Sequence, residues 1–399
     1  MNNSEKIILL IHYSEIGLKK GNRGYFEAKL KTNILEALHD IPEKEFKNDY
    51  GRFILKLPGT AVLKHVIERL KDVIGIAYFC VGYSGDSNVD ALKEQIFERL
   101  KKEDFSTFRI QTRRADKRYP LTSVDVNKIV GAKIHTDLNK PVNLENPDLT
   151  CNIEIFNKQI FFYFDRYDGI RGLPVGSSGR VVSLLSSGID SPVASYRMMT
   201  RGCRIIFVHF HSFPFTDKAS YHNAIKLTTQ LMRYQSSIRL YLVPLVKVQE
   251  AIIMQAPAKL RLILYRRMMF RIAEIIAKKE KASALVTGES VGQVASQTLE
   301  NILAINEVVT LPVLRPLIGL DKESIIAQAK EIDTFNISIE PYDDCCSYLV
   351  PKNPETKARL VEVHAAENGI ENWSRLISDA LREAEIKQLQ RDEQIVREE

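Results

Sequence analysis

The sequence predicts a multidomain protein in which two small α+β units precede a doubly wound α/β domain with a parallel sheet. The chain has 399 residues, which is more than one hydrophobic core normally organises. Short strand-like and helix-like segments alternate before a Gly/Ser-rich stretch at residues 171–179. After it, continuous apolar strands alternate with long helical segments, which is typical of a parallel sheet covered on both faces.

The composition is that of a soluble globular protein, with 45% hydrophobic and 27% charged residues. No basic segment precedes the apolar run at residues 7–11, which is too short for a signal peptide or a membrane span. We therefore expect a cytoplasmic protein. Five cysteines in so long a chain argue against a disulfide framework and for buried, catalytic or ligating thiols.

The alternating segments give the domain plan. Helical spacing of apolar residues and β-type apolar runs predict the following order: strand 7–12, helix 23–39, strand 53–57, helix 61–71, strand 76–81, helix 88–102, helix 125–138 and two strands within 151–164. We expect domains at residues 1–60, 61–167 and 175–399. Strands follow at 181–185, 205–210, 240–243 and 284–287, and residues 374–399 read as a charged helical tail.

A basic cluster follows the strand predicted at residues 107–111. Its members are Arg109, Arg113, Arg114, Lys117 and Arg118. Positive charge concentrated in this way is what phosphate binding by counterion release requires, so the cluster is a candidate nucleic-acid-binding surface. On charge alone, a solvated basic edge explains the pattern equally well.

The most informative segment is the turn S-S-G-I-D-S-P at residues 186–192, directly after a predicted strand. Pro192 stands just inside the next helix, where its missing N–H costs nothing. A small-residue turn and a helix N-terminus bring several N–H groups to one point, where they can hold an anion. The segment lacks the lysine of the G-x-x-x-x-G-K-[ST] pattern, so chemistry at a γ-phosphate is not indicated. An ordinary strand-to-helix turn is the alternative.

The turn resembles the S-G-G-x-D-S loop of the PP-loop ATP pyrophosphatases, which cleave ATP between the α and β phosphates. The resemblance implies that Ser186, Gly188, Asp190 and Ser191 bind ATP and that Asp190 holds Mg²⁺ on the pyrophosphate. Lys322 would neutralise charge on the pentavalent phosphorus; without the family it would be interpreted as a surface lysine. Ser187 replaces the first glycine of the pattern. A serine there would strain the turn if the position required a positive φ.

The whole chain resembles the ThiI family, the tRNA 4-thiouridine synthetases. Residues 13–16 and 21–26 resemble the family's ferredoxin-like domain, and residues 113–117, 131–132 and 146–149 resemble its RNA-binding THUMP domain. The C-terminal half matches most densely, at residues 208–212, 266–269, 287–290 and 292–298. The resemblance implies that further residues line the ATP site: Leu184, Leu185, His209, Phe210, Arg266, Gly288 and Gln297.

The family implies an ATP-dependent tRNA sulfurtransferase. Such an enzyme adenylates uridine 8 and replaces O4 with sulfur from a cysteine persulfide, because AMP leaves a pyrimidine ring far more readily than a bare oxygen does. Cys345 is the first choice for the persulfide and Cys346 the second, since a polar loop with paired aspartates keeps a thiolate accessible. Cys203, at the head of a strand, is more consistent with packing.

Some family members carry a C-terminal rhodanese-like domain, and the roughly fifty residues after Cys346 are too few for one. We therefore expect a cysteine desulfurase as sulfur donor beside tRNA. A sulfur-carrier protein as partner, a role in thiamine synthesis and a homodimer stay open. An iron–sulfur cluster on Cys203 with Cys345 or Cys346 ranks lower, because adjacent cysteines rarely reach one cluster. Two other functions remain: sulfur transfer to a protein carrier, and an inactive RNA-binding protein.

Overall fold

The structure, a computed structural model, describes residues 7–49, 51–341 and 353–391. Cys345 and Cys346, the cysteines expected to carry the persulfide, lie outside these residues. The chain divides into two compact units, Met1–Gly172 and Leu173–Glu399. Within the described residues, every helix is too short or too polar to span a lipid bilayer.

The N-terminal unit has eight strands and four α-helices in its described residues. They follow in this order: β1 (Ile7–Tyr13), α1 (Arg23–Ala37), β2 (Glu45–Asp49), β3 (Arg52–Leu57), α2 (Leu63–Lys71), β4 (Ile76–Gly85), α3 (Val89–Leu100), β5 (Phe108–Arg114), α4 (Ser123–Leu138), β6 (Leu149–Phe156), β7 (Gln159–Tyr163) and β8 (Tyr167–Asp168). The predicted alternation of strands and helices is confirmed.

One sheet runs through this unit, in the order β2-β3-β1-β4-β7-β6-β5, with β8 also paired to β4. Strand β4 joins its two halves, because residues 76–82 pair with β1 and residues 83–85 pair with β7. The predicted turn between β6 and β7 is present, and Asn157 and Lys158 adopt positive φ angles of 46° and 60° there. Two residues in this conformation suit the tight hairpin that the short connection requires.

Each half of the sheet has its own hydrophobic core. Helices α1 and α2 bury Leu30, Ile34, Val66 and Leu70 against the half that contains β1. Helices α3 and α4 form a separate core on the half that contains β5 and β6. The boundary after residue 60 stays a prediction, but the packing of α2 into the first core argues for a later boundary, within β4.

The C-terminal unit has six strands and nine α-helices in its described residues. They are β9 (Arg180–Leu184), α5 (Asp190–Thr200), β10 (Arg204–His211), α6 (Ala219–Leu231), β11 (Ser237–Pro244), α7 (Val246–Gln255), α8 (Arg261–Lys279), β12 (Leu285–Val286), α9 (Leu299–Asn306), β13 (Val313–Leu314), α10 (Lys322–Glu331), α11 (Phe335–Ser338), α12 (Leu360–Asn368), α13 (Trp373–Glu383) and β14 (Glu385–Gln390).

The sheet of this unit has the order β13-β12-β9-β10-β11-β14. The first five strands are parallel, which confirms the predicted doubly wound sheet. The sixth, β14, pairs antiparallel with β11 along residues 385–390. The prediction of a charged helical tail is therefore wrong at these residues, because the open edge of β11 offers backbone partners that a short polar segment can use.

The strand order also locates a ligand crevice. The chain moves from β9 outward to β10 and β11, and then returns to place β12 on the other side of β9. Connections that diverge in this way leave a gap outside the carboxyl ends of the two central strands, and open α/β sheets bind their ligands there. The crevice lies where β9 leads into the S-S-G-I-D-S-P turn.

Candidate active site

A cavity of about 360 Å³ occupies this crevice at the ends of β9, β10 and β12, with α8 as a further wall. Every residue predicted for the ATP site lines it. They are Leu184, Leu185, Ser186, Gly188, Asp190, Ser191, His209, Phe210, Arg266, Gly288 and Gln297. The fold thus brings together segments that are more than a hundred residues apart in sequence, and ATP binding by these residues stays a prediction.

The turn after β9 is held by its own serines. The Ser186 N–H donates to Ser191 Oγ at 2.9 Å, and Ser191 Oγ donates back to the Ser186 carbonyl oxygen at 3.2 Å. The Gly188 N–H donates to Ser186 Oγ at 3.3 Å. These bonds fix the turn against the first residues of α5, so the helix N-terminus and the turn face the cavity as one rigid surface.

Ser187 fits this turn without strain. It does not adopt a positive φ, so the condition under which a serine would disturb the turn is not met. Its side chain is 1% exposed, and its Oγ donates to the Ser220 carbonyl oxygen in α6 at 3.0 Å. The serine that departs from the pattern therefore ties the turn to the neighbouring helix.

Gly288 allows β12 to approach the same turn. A Cβ atom at this position would lie 2.7 Å from the backbone nitrogen of Ser191 and 2.8 Å from the carbonyl carbon of Asp190. Both neighbours are backbone atoms at the start of α5, and they cannot rotate away as a flexible side chain would. Only glycine fits at position 288, because any Cβ atom would collide with the backbone at the start of α5.

The two predicted catalytic residues with described positions are in direct contact. Lys322 Nζ lies 2.6 Å from Asp190 Oδ1, and Gln293 Nε2 donates to Asp190 Oδ2 at 2.9 Å. Asp190 is the first residue of α5 and Lys322 the first of α10, whose N-cap is Asp321. Lys322 does not itself line the cavity but reaches its edge through Asp190. The Lys322 ammonium thus compensates the charge of this carboxylate.

Glu289 is a site residue that the sequence reasoning missed. Its side chain is 3% exposed and accepts hydrogen bonds from Arg266 Nη1 at 3.0 Å, Arg315 Nε at 2.7 Å and Thr287 Oγ1 at 2.9 Å. It holds Arg266 at the cavity wall. The other cavity residues that were missed are Met269, Phe270, Thr287, Gln293 and Val294. The position of Thr287 and Glu289 at the carboxyl end of a predicted strand was the signal that could have found them.

Two histidines hold the end of β10. His209 is buried, and its Nδ1 lies 2.9 Å from the Leu185 carbonyl oxygen, which links β10 to the turn after β9. Burial, and then the charge of His209, lower the pKa of His211 to about 4. A His211 imidazole with this pKa is neutral at neutral pH. His209 lines the cavity and His211 does not, and Arg266 is the cationic side chain among the described residues that line it.

The basic cluster of the N-terminal unit is divided by the structure. Arg109 donates to the Leu144 carbonyl oxygen at 3.0 Å, and Arg114 Nη1 donates to two carbonyl oxygens at 2.9 Å each, so both hold local loops. Arg118 pairs with Asp116 at 2.8 Å, and these hydrogen bonds hold the pKa of Asp116 well below its usual range. Arg113 and Lys117 are exposed. RNA contact by the five residues stays a prediction.

Cys203 behaves as a packing residue. It is buried, and burial raises the pKa of its thiol, which disfavours the thiolate that sulfur chemistry needs. It precedes β10, whereas the cavity lies at the far end of that strand, roughly 20 Å away at the usual rise of a β-strand. Within residues 7–49, 51–341 and 353–391, no group of three His, Cys, Asp or Glu side chains is arranged to hold a metal ion.

Three family profiles match the chain. The profile described as ThiI ferredoxin-like domain matches residues 8–80, and the THUMP domain profile matches residues 86–165. The profile described as Thiamine biosynthesis protein (ThiI) matches residues 176–371, which include the turn after β9, the cavity and Lys322.

Curated relatives and a solved structure match almost the whole chain. A "Probable tRNA sulfurtransferase" of Moorella thermoacetica is 42% identical over 97% of this chain and 99% of the relative. One from Thermus thermophilus is 41% identical over 96% of this chain and 94% of the relative. The crystal structure of a 4-thiouridine synthetase in complex with RNA and bound ATP is 36% identical, with a TM-score of 0.87 over 97% of this chain and 100% of that one. The chain belongs to the ThiI family of tRNA sulfurtransferases.

Proposed function

We propose that this chain is an ATP-dependent tRNA sulfurtransferase that adenylates O4 of uridine 8 and replaces that oxygen with sulfur, which gives 4-thiouridine. One observation supports the proposal above the others. The PP-loop turn, the ends of β10 and β12 and one face of α8 line a single cavity at the switch point of the sheet. A 4-thiouridine synthetase that is similar over its full length has been solved with RNA and bound ATP.

ATP binds with its phosphates on the turn after β9. The N–H groups of the turn and the N-terminus of α5 present partial positive charge to the phosphates, and the wall residue Arg266 adds a full charge. Leu184, Leu185 and Phe210 supply the apolar surface that a purine base requires. Glu289 keeps Arg266 oriented, because its carboxylate holds both Arg266 and Arg315.

Adenylation is supported by Lys322 and Asp190. As O4 attacks the α-phosphorus, a P–O bond forms, the bond to the β-phosphate oxygen breaks, pyrophosphate leaves, and the N3 proton of the uracil ring passes to solvent. The Lys322 ammonium, released from Asp190, neutralises the charge that develops on phosphorus. The freed Asp190 carboxylate fits a Mg²⁺ ion, because such ions in nucleotide sites are held by one or two carboxylates and the phosphates. Bound there, Mg²⁺ would neutralise the pyrophosphate.

Sulfur arrives as a cysteine persulfide. Its terminal sulfur bonds to C4 of the uracil ring, and AMP leaves with the electrons of the C4–O bond. A second thiol then attacks Sγ of the cysteine, so that a new disulfide forms and 4-thiouridine leaves with the electrons of the old S–S bond. Cys345 is the first choice for this cysteine and Cys346 the second, on the sequence argument alone, since both lie outside the described residues. A cluster that includes Cys203 is disfavoured, because Cys203 lies at the opposite end of β10 from the cavity.

The proposal also covers the sulfur donor, the cellular compartment and further partners. A cysteine desulfurase supplies the sulfur, the enzyme works in the cytoplasm, and the described helices offer no membrane span. Supply of sulfur for thiamine synthesis is an additional role to be tested, and so are a sulfur-carrier protein as partner and a homodimer.

The test measures two products in one reaction. The purified chain is incubated with unmodified tRNA, ATP, Mg²⁺ and a sulfide or persulfide source. We expect 4-thiouridine, detected by mass spectrometry of the nucleosides, together with AMP. Asp190→Asn keeps the shape of the side chain but removes its charge, and we expect both products to fall by about 10²-fold or more. Cys345→Ser should keep ATP/pyrophosphate exchange and lose persulfide-dependent thiolation.

Glu323→Gln is the matched control, because Glu323 neighbours Lys322 on α10, does not line the cavity and is exposed. It should retain full activity. Full activity of Asp190→Asn would contradict the proposal. ATP/pyrophosphate exchange that is independent of tRNA would favour transfer to a protein carrier. Binding of tRNA without AMP release would favour an inactive RNA-binding protein, an interpretation that the unstrained Ser187 weakens.

A further inference from the structure

A second cavity, of about 310 Å³, lies within the N-terminal unit and has no part in the reaction proposed above. It opens between the ends of β1, β3 and β5, and its wall includes His12, Tyr13, Arg23, Arg52 and Arg113. None of the described residues that line it is acidic. Three arginines from distant parts of the sequence thus face one small space.

The outer wall is held rigidly. Arg23 donates from Nη2 to the Tyr13 hydroxyl at 2.7 Å and from Nε to Glu27 at 2.7 Å. Gly51 adopts a positive φ of 86°, and a Cβ atom there would lie 2.8 Å from Arg23 Nη2. Because Gly51 has no side chain, the Arg23 guanidinium can occupy this space.

The inner wall buries a second guanidinium. Arg52 is 4% exposed, forms an ion pair with Glu154 and lies 3.8 Å from the centre of the Phe156 ring. Its Nε is buried and has no hydrogen-bond partner among the described residues. His12 stacks on Tyr78 with ring centres 4.3 Å apart. These contacts fix the cation without satisfying all of its donors.

The charges in this cavity are not balanced. Burial, and then the charge of Arg113, lower the pKa of Arg52. Burial, followed by the charges of Arg52, Arg113 and Arg166, lowers the pKa of His12 to about 3. Glu154 compensates Arg52, whereas no carboxylate in the described part of the chain forms an ion pair with Arg113. Holding like charges together in a partly buried site costs free energy, and a bound anion would offset this cost.

We propose that this cavity binds one phosphate group of the RNA, with Arg113 and Arg52 as the cations and the Ser14 hydroxyl as a further donor at the rim. Guanidinium groups suit this ligand, because their N–H groups match two phosphate oxygens at once. The inference rests on the proposed function, since it takes RNA as the ligand. It assigns to Arg113 a different role from Arg109 and Arg114, whose guanidiniums hold local loops.

The test compares the RNA affinity of full-length Arg113→Gln with that of the wild type, by fluorescence anisotropy over a series of salt concentrations. Arg113 is exposed, so the variant should fold. We expect affinity to fall by about tenfold and the slope of log K against log salt to decrease in magnitude by about 1. The loss should be equal for tRNAs of different sequence, because a phosphate contact does not read bases.

Lys93→Gln is the charge-matched control, because Lys93 lies on α3, pairs with Asp90 at 2.6 Å and does not line the cavity. It should leave the affinity and the slope unchanged. Unchanged RNA binding by Arg113→Gln would overturn the inference, and so would a loss confined to ATP affinity. Thiolation of tRNA by the wild type is measured in parallel. If the wild type thiolates tRNA while Arg113→Gln binds normally, the phosphate site fails and the proposed function stands.

Discussion

At the scale of single residues, the sharpest constraint on the site is the absence of a side chain at Gly288. Gly288→Ala would push a methyl group against the backbone of Ser191, so the start of α5 or the end of β12 must move. We expect ATP affinity, measured by calorimetry, to fall by at least about tenfold, which corresponds to ~1.4 kcal/mol.

The control for this prediction is Gly319→Ala, because Gly319 precedes Lys322 by three residues and a Cβ atom there has no neighbour within 4 Å. The control should bind ATP as the wild type does. Equal ATP affinity of both variants would mean that the close approach of β12 does not shape the site.

The role of the turn residues was predictable, because this combination of residue types after a strand has few structural explanations other than anion binding. A Gly, an Asp and a helix-starting Pro after an apolar strand indicate an anion site, and the structure places the turn on the cavity. The effect of Ser187 was not predictable, because the φ angle of its position and the Ser220 carbonyl oxygen are properties of the fold. A lone glutamate has no pattern of its own, so only the position of Glu289 after a predicted strand could have indicated it.

At the scale of elements, β14 protects an otherwise open edge. It covers β11, and Tyr221 in α6 donates to Glu385 at 2.6 Å. We expect a chain that ends at Ala384 to lose several degrees in the melting temperature of the C-terminal unit and to aggregate on heating, because an uncovered strand edge recruits other chains. Each kcal/mol lost should lower Tm by roughly 2–4 °C in a domain of this size.

A chain that ends at Arg391 is the comparison, because it keeps β14 and its pairing with β11. Calorimetry and light scattering on both chains provide the measurement. If the two chains melt together and neither aggregates, β14 contributes nothing to the stability of the sheet.

Long elements were predictable from their periodicity, and β14 was not. Its apolar residues, Ile386 and Leu389, are three apart and stand among charged and amide side chains, which favours a surface helix. Pairing with β11 overrides that preference, since an edge strand with one solvent-facing side needs few apolar residues.

At the scale of the whole molecule, the buried carboxylate of Glu367 makes the free energy of unfolding of the C-terminal unit depend on pH in the acid range. Burial raises the pKa of Glu367, but hydrogen bonds from Arg271 and Arg267 outweigh it and lower the pKa to about 2. A depressed pKa stabilises the folded state above the ordinary value for glutamate, ~4.3, and the contribution is lost as the pH falls towards 2. We expect Glu367→Gln to cost roughly 2 kcal/mol at pH 7, because Arg267 keeps Glu307 as a partner.

Denaturant unfolding measures this prediction. The fluorescence of Trp373, the single tryptophan, reports on the C-terminal unit, since its indole donates to the Glu367 carbonyl oxygen at 2.6 Å. The difference from the wild type should shrink as the pH falls from ~5 towards 2. Glu362→Gln on the same helix α12 removes only exposed ion pairs and should change little. A difference that stays constant with pH would show that Glu367 acts by shape alone.

The order of strands and helices and the position of the turn after β9 on the cavity could be predicted from the sequence, because strand-helix alternation and a small-residue turn are local signals. The meeting of Asp190 with Lys322, 132 residues apart, could not, since it depends on how α10 packs beside α5. The same is true of the cavity that gathers Arg23, Arg52 and Arg113, whose residues belong to three separate elements of one continuous sheet and its helices.

The contact between Lys322 and Asp190 has a consequence for the order of events. With its ammonium and carboxylate joined, the pair carries no net charge. On the proposed function, a magnesium nucleotide would exchange this ion pair for another instead of adding a new attraction, so the pair would contribute little to ground-state affinity. Lys322 would become available only once its carboxylate bound the metal, which would tie activation of phosphorus to the presence of the complete substrate.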